Sequence, residues 1–129
     1  LVKHGHQVLV QSGLSNGIGV SDADYQLAGA SVVIDAAEIF ERAELIVKVK
    51  EPQSQEIPLL RKGQLLFTYM HLAPDREQTL GLLERGVTAI AYETVVGKDG
   101  GLPLLALAFC WAALPGLKPA RLSSLVAAR

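Results

Sequence analysis

The sequence predicts an α/β protein with a three-layer, flavodoxin-like or Rossmann-like fold, in which helices cover both faces of a mostly parallel sheet. The first observation is an alternation, over residues 6–93, of five short apolar segments rich in β-branched residues with four segments of helical pattern. Such alternation is typical of βαβ crossovers, which build parallel sheets. The second observation is the length, because 129 residues suffice for one domain with a sizeable core and not for two.

The predicted elements follow one another with little connecting chain. The first four residues form the last turn of a helix that Gly5 ends. The strands are short apolar runs at residues 6–11, 31–34, 44–50, 64–70 and 87–93. The helices have apolar residues at helical spacing and occupy residues 22–28, 36–42 and 54–60, with a fourth after Asp75 and a last one at 104–114.

Capping residues mark the helix ends. Ser21 and Asp24 have the spacing of a capping box, and Asp35 and Asp75 are suited to accept from the first turns of their helices. Gly86 ends the fourth helix. The leucines of that helix expected to face the core are Leu80, Leu82 and Leu83.

Composition argues against several classes of partner. Twelve basic and 13 acidic residues give a net charge of -1, which provides no field for a phosphate backbone, so we expect no nucleic-acid partner. The longest apolar run, residues 102–117, contains prolines and is shorter than the roughly 20 residues of a membrane span, so we expect none. Cys110 is the only cysteine, which excludes an internal disulfide and favours the cytoplasm.

The glycine-rich segment after the first strand is predicted to be a plain connecting loop. Gly17 and Gly19 have the first spacing of a dinucleotide fingerprint, but Asp22 stands where its last glycine belongs. A carboxylate there would repel a pyrophosphate, so we predict no cofactor-binding residue in this chain. Because no His, Cys, Asp and Glu set has metal-ligand spacing, we predict no metal site either.

Polar side chains lie at the carboxyl ends of three of the predicted strands, where the apolar runs end. They are Lys48 and Lys50 at the third strand, Tyr69 and His71 at the fourth, and Glu93 at the fifth. Ligands of open parallel sheets bind outside the strand carboxyl ends. The ammonium of Lys50 suits a carboxylate or carbonyl oxygen, and the imidazole of His71 is the best candidate for a catalytic group that exchanges protons. From the residues alone, a solvated lysine and a structural histidine are equally open interpretations.

Five segments carry a more specific signal. They are residues 28–30 (Ala-Gly-Ala), 47–52 (Val-Lys-Val-Lys-Glu-Pro), 67–73 (Phe-Thr-Tyr-Met-His-Leu-Ala), 86–95 (Gly-Val-Thr-Ala-Ile-Ala-Tyr-Glu-Thr-Val) and 102–105 (Leu-Pro-Leu-Leu). In this order and spacing, they closely resemble the N-terminal domain of bacterial alanine dehydrogenases. The related domain of the transhydrogenase α subunit typically has proline directly after the histidine and lacks the Tyr-Glu-Thr run.

The resemblance implies NAD-dependent oxidative deamination of L-alanine to pyruvate and ammonium, in either direction. It implies that Lys50 binds the substrate and that His71 is the proton donor and acceptor, with Tyr69 and Glu93 as supporting residues behind them. NAD is the implied cofactor, L-alanine and pyruvate are the implied ligands, and a hexamer is the implied assembly.

The chain departs from the family at both ends. The family's first strand and its carboxylate-binding arginine lie upstream of Leu1, so the predicted fold is incomplete at its N-terminus. We expect residues 1–105 to form a partial substrate domain and residues 106–129 a divergent apolar tail of the kind that a frameshift produces. The family's dinucleotide-binding domain is absent, so we expect this chain alone to be inactive.

Two other functions fit the same residues. The first is a non-catalytic α/β module that binds a small carboxylate through Lys50 and His71. The second is the N-terminal domain of an NAD(P) transhydrogenase α subunit. The first predicts binding without turnover, and the second predicts a partner in the membrane.

Overall fold

A six-stranded sheet is the centre of the computed structural model, which describes residues 1–15, 19–105 and 126–128. The strands are β1 (Val8–Gln11), β2 (Ser31–Val33), β3 (Leu45–Val47), β4 (Leu65–Thr68), β5 (Thr88–Ala91) and β6 (Val126–Ala128). The α-helices are α1 (Asp22–Leu27), α2 (Ala36–Arg42) and α3 (Arg76–Arg85), and 3₁₀ turns cover Val2–His4, Ile57–Leu59 and Tyr92–Thr94.

The sheet is mixed, with strand order β2-β1-β6-β3-β4-β5. β1 and β2 are parallel, and β3, β4 and β5 form a second parallel group. β6 lies between the groups, antiparallel to both neighbours, with Ala127 opposite Leu9 on one side and Ile46 on the other. The predicted α/β class and the mostly parallel sheet are therefore confirmed.

β6 comes from the segment that the sequence predicts to be a divergent tail. Its Ala127 and Ala128 are buried, so this part of the tail belongs to the sheet. The rest of residues 106–129 lies outside the described part of the chain, as does most of the helix predicted at 104–114. The domain boundary at residue 105 stays a prediction.

The helix ends follow the predicted capping chemistry. Ser21 and Asp24 form a complete capping box at α1, in which each side chain accepts from the other's backbone N–H. The carboxylates of Asp35 and Asp75 accept from Ala37 and Gln78 in the first turns of α2 and α3. Such caps stabilise a helix by about 1 kcal/mol each, which matters for helices this short.

The core lies where α2 packs on the sheet. Ile39 and Phe40 of α2 are fully buried, together with Ile46 of β3 and Leu66 of β4. In β1, residues 8–10 are all buried, so both faces of this strand are covered, because successive strand side chains point to opposite faces. The apolar layer fixes the strands, and the strands in turn fix the segments that follow them.

Several predicted element lengths are wrong. All five predicted strands form, each shorter than expected, and the third ends at Val47, just before Lys48, whose side chain pairs with Glu56 in the following loop. The helix predicted at residues 54–60 is only a single 3₁₀ turn, which contains Pro58, a residue without an N–H for a longer helix.

The predicted inner face of α3 is also partly wrong. Leu82 is buried, but Leu80 and Leu83 are 46% and 71% exposed. The other buried side chain of the helix is Gln78, one turn before Leu82. A polar residue of α3 is therefore buried, whereas two of the three leucines predicted to face the core are exposed.

Candidate functional site

Three chain segments meet where β3, β4 and β5 end, because these strands are parallel and adjacent. The segments are residues 48–51, 69–71 and 92–94, and they carry the side chains that the sequence predicts for the site. Side chains also tie the segments together. The hydroxyl of Thr68 donates to the carbonyl of Lys50 at 2.6 Å, and that of Tyr92 donates to the carbonyl of Val49 at 2.6 Å.

His71 is exposed and has a left-handed backbone, with φ of 45°. Among the described residues it is the only one other than glycine with positive φ. Its Nδ1 lies 3.4 Å from the hydroxyl of Tyr69, and the two rings stack with centroids 5.7 Å apart. The imidazole therefore remains open to a ligand while one face rests on a tyrosine.

Glu93 supports the backbone at His71. Its Oε1 accepts the N–H of Met70 at 2.9 Å and the N–H of His71 at 3.0 Å. Its Oε2 is buried and has no hydrogen-bond partner within the described chain. Burial raises the pKa of the neighbouring Tyr92 above its ordinary value, with a further contribution from the charge of Glu93, so this hydroxyl stays protonated as a donor.

The two lysines after β3 differ completely. Lys48 is 2% exposed and forms a buried ion pair with Glu56, whose Oε2 also accepts the N–H of Gln53. Burial lowers the pKa of Lys48, although Glu56 opposes this effect. Lys50 is exposed and, within the described residues, its ammonium has no hydrogen-bond or ion-pair partner. Only Lys50 is thus available to an external anion.

Sequence reasoning missed two buried polar residues behind this site. Glu56 neutralises Lys48, and the Nε2 of Gln78 donates to the carbonyl of Met70 at 2.8 Å. The sequence holds a signal for Gln78, since it lies four residues before Leu82 and so on the same helix face. Glu56 lies in an irregular loop, where spacing carries no comparable signal.

The described part of the loop after β1 uses its polar groups within the loop and the following helix. The N–H of Gly13 donates to Asp22 Oδ1 at 2.9 Å, and the hydroxyl of Ser12 donates to Oδ2 at 2.6 Å. A pyrophosphate would need such N–H groups free, and it would meet a carboxylate instead. Residues 16–18 of this loop lie outside the described chain.

A cleft of about 660 Å³ lies at the other end of the sheet, near the amino ends of β4 and β5. Its lining includes Leu60, Arg61, Lys62 and Arg85. None of the predicted site residues contributes to it. Two of its cations serve the fold, because Arg61 donates to the carbonyls of Phe40 in α2 and Ala43 just after it, and Arg85 donates to that of Ile57.

Neither a metal site nor a membrane helix occurs in the parts of the chain that the structure describes. No three His, Cys, Asp or Glu side chains there are arranged to hold an ion. No helix there has the length and apolar character that crossing a bilayer requires.

Comparison with known proteins decides the family. The family described as "Alanine dehydrogenase/PNT, N-terminal domain" matches residues 1–109. The chain belongs to this family. The match begins before β1 and includes all three segments of the candidate site.

Individual members agree with the assignment to this family. Alanine dehydrogenase of Halomonas elongata is 54% identical over 106 residues, which are 82% of this chain and 29% of the relative. Alanine dehydrogenase of Methanococcus maripaludis is 48% identical over 101 residues, which are 78% of this chain and 27% of the relative. The chain thus spans less than a third of the curated relatives that it matches.

Of two solved structures compared with this chain, the alanine dehydrogenase is more similar than the transhydrogenase. A structure of L-alanine dehydrogenase superposes with a TM-score of 0.76 at 50% identity, covering 81% of this chain and 28% of that one. A transhydrogenase from Sinorhizobium meliloti superposes with a TM-score of 0.61 at 32% identity, covering 66% of this chain and 25% of that one. The fold and the resemblance predicted from the sequence are confirmed.

Proposed function

We propose that this chain is the substrate-binding part of an NAD-dependent L-alanine dehydrogenase and that it binds pyruvate and L-alanine through Lys50 and His71. Membership of the family supports the reaction. The observation that carries the proposal is the meeting of three strand ends, one with an ammonium that has no partner among the described residues and one with an open imidazole. A cytoplasmic location and the family's hexameric assembly belong to the same proposal.

The proposed roles follow from charge and proton chemistry. The ammonium of Lys50 offers three donors and a positive charge, which match the carboxylate or carbonyl oxygen of pyruvate. The imidazole of His71 can take a proton from the substrate amine and return it in the reverse direction. Tyr69 supports the ring of His71, and Glu93 supports its backbone.

The hydride step is proposed to depend on residues other than those described. NAD supplies the hydride acceptor in this reaction. The glycine-containing loop after β1 does not fit its pyrophosphate, because Asp22 occupies the N–H of Gly13. We therefore expect no alanine-dependent NADH production from this chain alone.

The alternatives differ in what they predict for turnover. A non-catalytic module would bind a small carboxylate at the same residues and never support hydride transfer. The transhydrogenase alternative is supported by one superposition, but at lower identity and coverage than the alanine dehydrogenase structure. The dehydrogenase proposal is therefore favoured.

Pyruvate titration followed by NMR or calorimetry tests binding. We expect saturable binding by the wild type, loss of binding in Lys50→Ala, and weaker but measurable binding in His71→Ala. The matched controls are Lys98→Ala and His4→Ala, which alter exposed residues outside the site and should bind as the wild type does. Absence of binding by a folded wild-type chain contradicts the proposal.

A chimera tests turnover. The 106 matched residues would replace their counterparts in the Halomonas elongata alanine dehydrogenase. Alanine-dependent reduction of NAD by the chimera, lost on His71→Ala, supports a dehydrogenase site. A folded chimera that binds pyruvate without turnover favours the non-catalytic module.

A further inference from the structure

The peptide group between Met70 and His71 is hydrogen-bonded on both sides by side chains from two other elements, the half-buried Glu93 and the buried Gln78. Its N–H donates to Glu93 Oε1 at 3.0 Å, and its carbonyl accepts from Gln78 Nε2 at 2.8 Å. The same Glu93 oxygen also accepts the N–H of Met70 at 2.9 Å. Glu93 follows β5 and Gln78 belongs to α3, so the two supports are independent of each other in the chain.

This doubly held peptide precedes a strained residue. A left-handed φ such as the 45° of His71 is strained for a residue other than glycine, and it persists only where the surroundings enforce it. The His71 side chain does not enforce it, because this side chain is exposed and its one hydrogen-bond contact with the described residues is the 3.4 Å approach to Tyr69. The support must come from the backbone.

Gln78 is itself fixed. It is 3% exposed, and its N–H donates to Asp75 Oδ1 at 2.9 Å, which anchors it in the first turn of α3. Leu82, one turn later, is buried on the same helix face. The amide of Gln78 is therefore delivered to the Met70 carbonyl by a helix that is capped and packed.

We propose that Glu93 and Gln78 are positioning residues that hold His71 in its left-handed conformation and so direct the imidazole at the bound carboxylate ligand. We call the pair the His71 clamp. The inference rests on the proposed function for its consequence in binding, but the clamp itself can be tested without a ligand.

Amide hydrogen exchange tests the clamp directly. The N–H groups of Met70 and His71 should be protected in the wild type and should exchange at least about tenfold faster in Glu93→Ala, which removes a charged acceptor. Glu93→Gln keeps an oxygen acceptor and should retain most of the protection. Glu41→Ala, an exposed glutamate of α2, is the matched control. Exchange in the wild type at the rate of an open loop would overturn the clamp.

Pyruvate affinity tests the consequence. Glu93→Ala and Gln78→Met should each weaken binding by about tenfold, as expected for loss of a buried hydrogen bond, while Glu93→Gln should restore it. In a His71→Ala background, neither change should weaken binding further. Equal losses with and without His71 would overturn the positioning role, because they would mean a general structural effect.

The two proposals fail in different ways. If the wild type does not bind pyruvate while its Met70 and His71 amides are protected by Glu93, the proposed function is wrong and the clamp stands. If pyruvate binds normally to Glu93→Ala, the proposed function stands and the clamp is overturned. Gln26→Met, a change at an exposed glutamine of α1, controls for the substitution at Gln78.

Discussion

The loop after β1 and the segments after β3, β4 and β5 both follow strands of the sheet, but they use their polar groups differently. In the first, both oxygens of Asp22 accept hydrogen bonds, and Ser15 pairs with Tyr25. In the second, the ammonium of Lys50 has no partner within the described chain, and one buried oxygen of Glu93 has no hydrogen-bond partner there. A loop that satisfies its own polar groups is structural, whereas unused groups at a strand end indicate a site.

The largest expected effect comes from Lys48, the one buried member of the lysine pair. Lys48→Met leaves the buried Glu56 carboxylate without its counter-ion, which should lower the free energy of unfolding by about 3–5 kcal/mol. Lys50→Met should change stability by less than about 0.5 kcal/mol, as for other surface sites, yet it should abolish pyruvate binding. Urea denaturation and pyruvate titration measure the two effects.

The control for this pair removes the orphaned charge. In Lys48→Met combined with Glu56→Gln, most of the lost stability should return, because the amide oxygen can still accept from Gln53. A loss below about 1 kcal/mol in the single variant would show that Glu56 finds solvent, contrary to the buried ion pair described above.

A smaller effect is expected from two tyrosines, one in each region. Tyr92→Phe removes the hydrogen bond to the carbonyl of Val49, and Tyr25→Phe removes the partner of Ser15. Each should cost about 1 kcal/mol in urea denaturation, as for an ordinary hydrogen bond. Only Tyr92→Phe should also weaken pyruvate binding, since Tyr92 holds the segment that carries Lys50. Equal pyruvate affinity of the two variants would contradict the distinction between a structural loop after β1 and a binding site after β3, β4 and β5.

The smallest expected effect is a dependence on acid in the loop after β1. The hydrogen bond from the Ser12 hydroxyl is the main cause that lowers the pKa of Asp22 below its ordinary value of 3.8. The hydrogen bond from the Gly13 N–H adds to this effect. The folded chain then binds fewer protons than the unfolded chain. The stability that Asp22 contributes is therefore fully present above the unfolded-state pKa and is lost as the pH falls through the folded-state pKa.

Asp22→Asn tests this dependence. The difference in stability between wild type and Asp22→Asn should shrink when urea denaturation is carried out at about pH 3 instead of about pH 6. Asp99→Asn, in the exposed polar turn near residue 100, is the control for a general effect of charge. A difference that stays constant with pH would mean that the Asp22 carboxylate does not stabilise the loop.

Local features could be predicted from the sequence because the groups that decide them are close in the chain. Ser21, Asp35 and Asp75 were predicted as caps, and each bonds the first turn of its helix. The strands were found for the same reason, since their apolar runs are uninterrupted. The family resemblance was carried by short motifs of the same local kind and is confirmed.

The remaining errors concern contacts between distant residues. Lys48 and Lys50 occupy equivalent positions in the sequence pattern. They differ in the structure because the following loop brings Glu56 to Lys48. The spacing of the leucines in α3 does not predict that Gln78 is buried, because its partner, the Met70 carbonyl, lies in another element. The roles of Lys50, His71, Tyr69 and Glu93 stay predictions, which family membership and the geometry of the site support.

The central position of β6 has a consequence for the time course of folding. β6 is synthesised after both of its neighbours in the sheet, because β1 and β3 precede it in the chain. Ribosomes add about 5–20 residues per second, so β1 and β3 spend several seconds without the strand that joins them. During this interval each presents an open hydrogen-bonding edge, the kind of surface that chaperones cover and that other nascent chains can pair with.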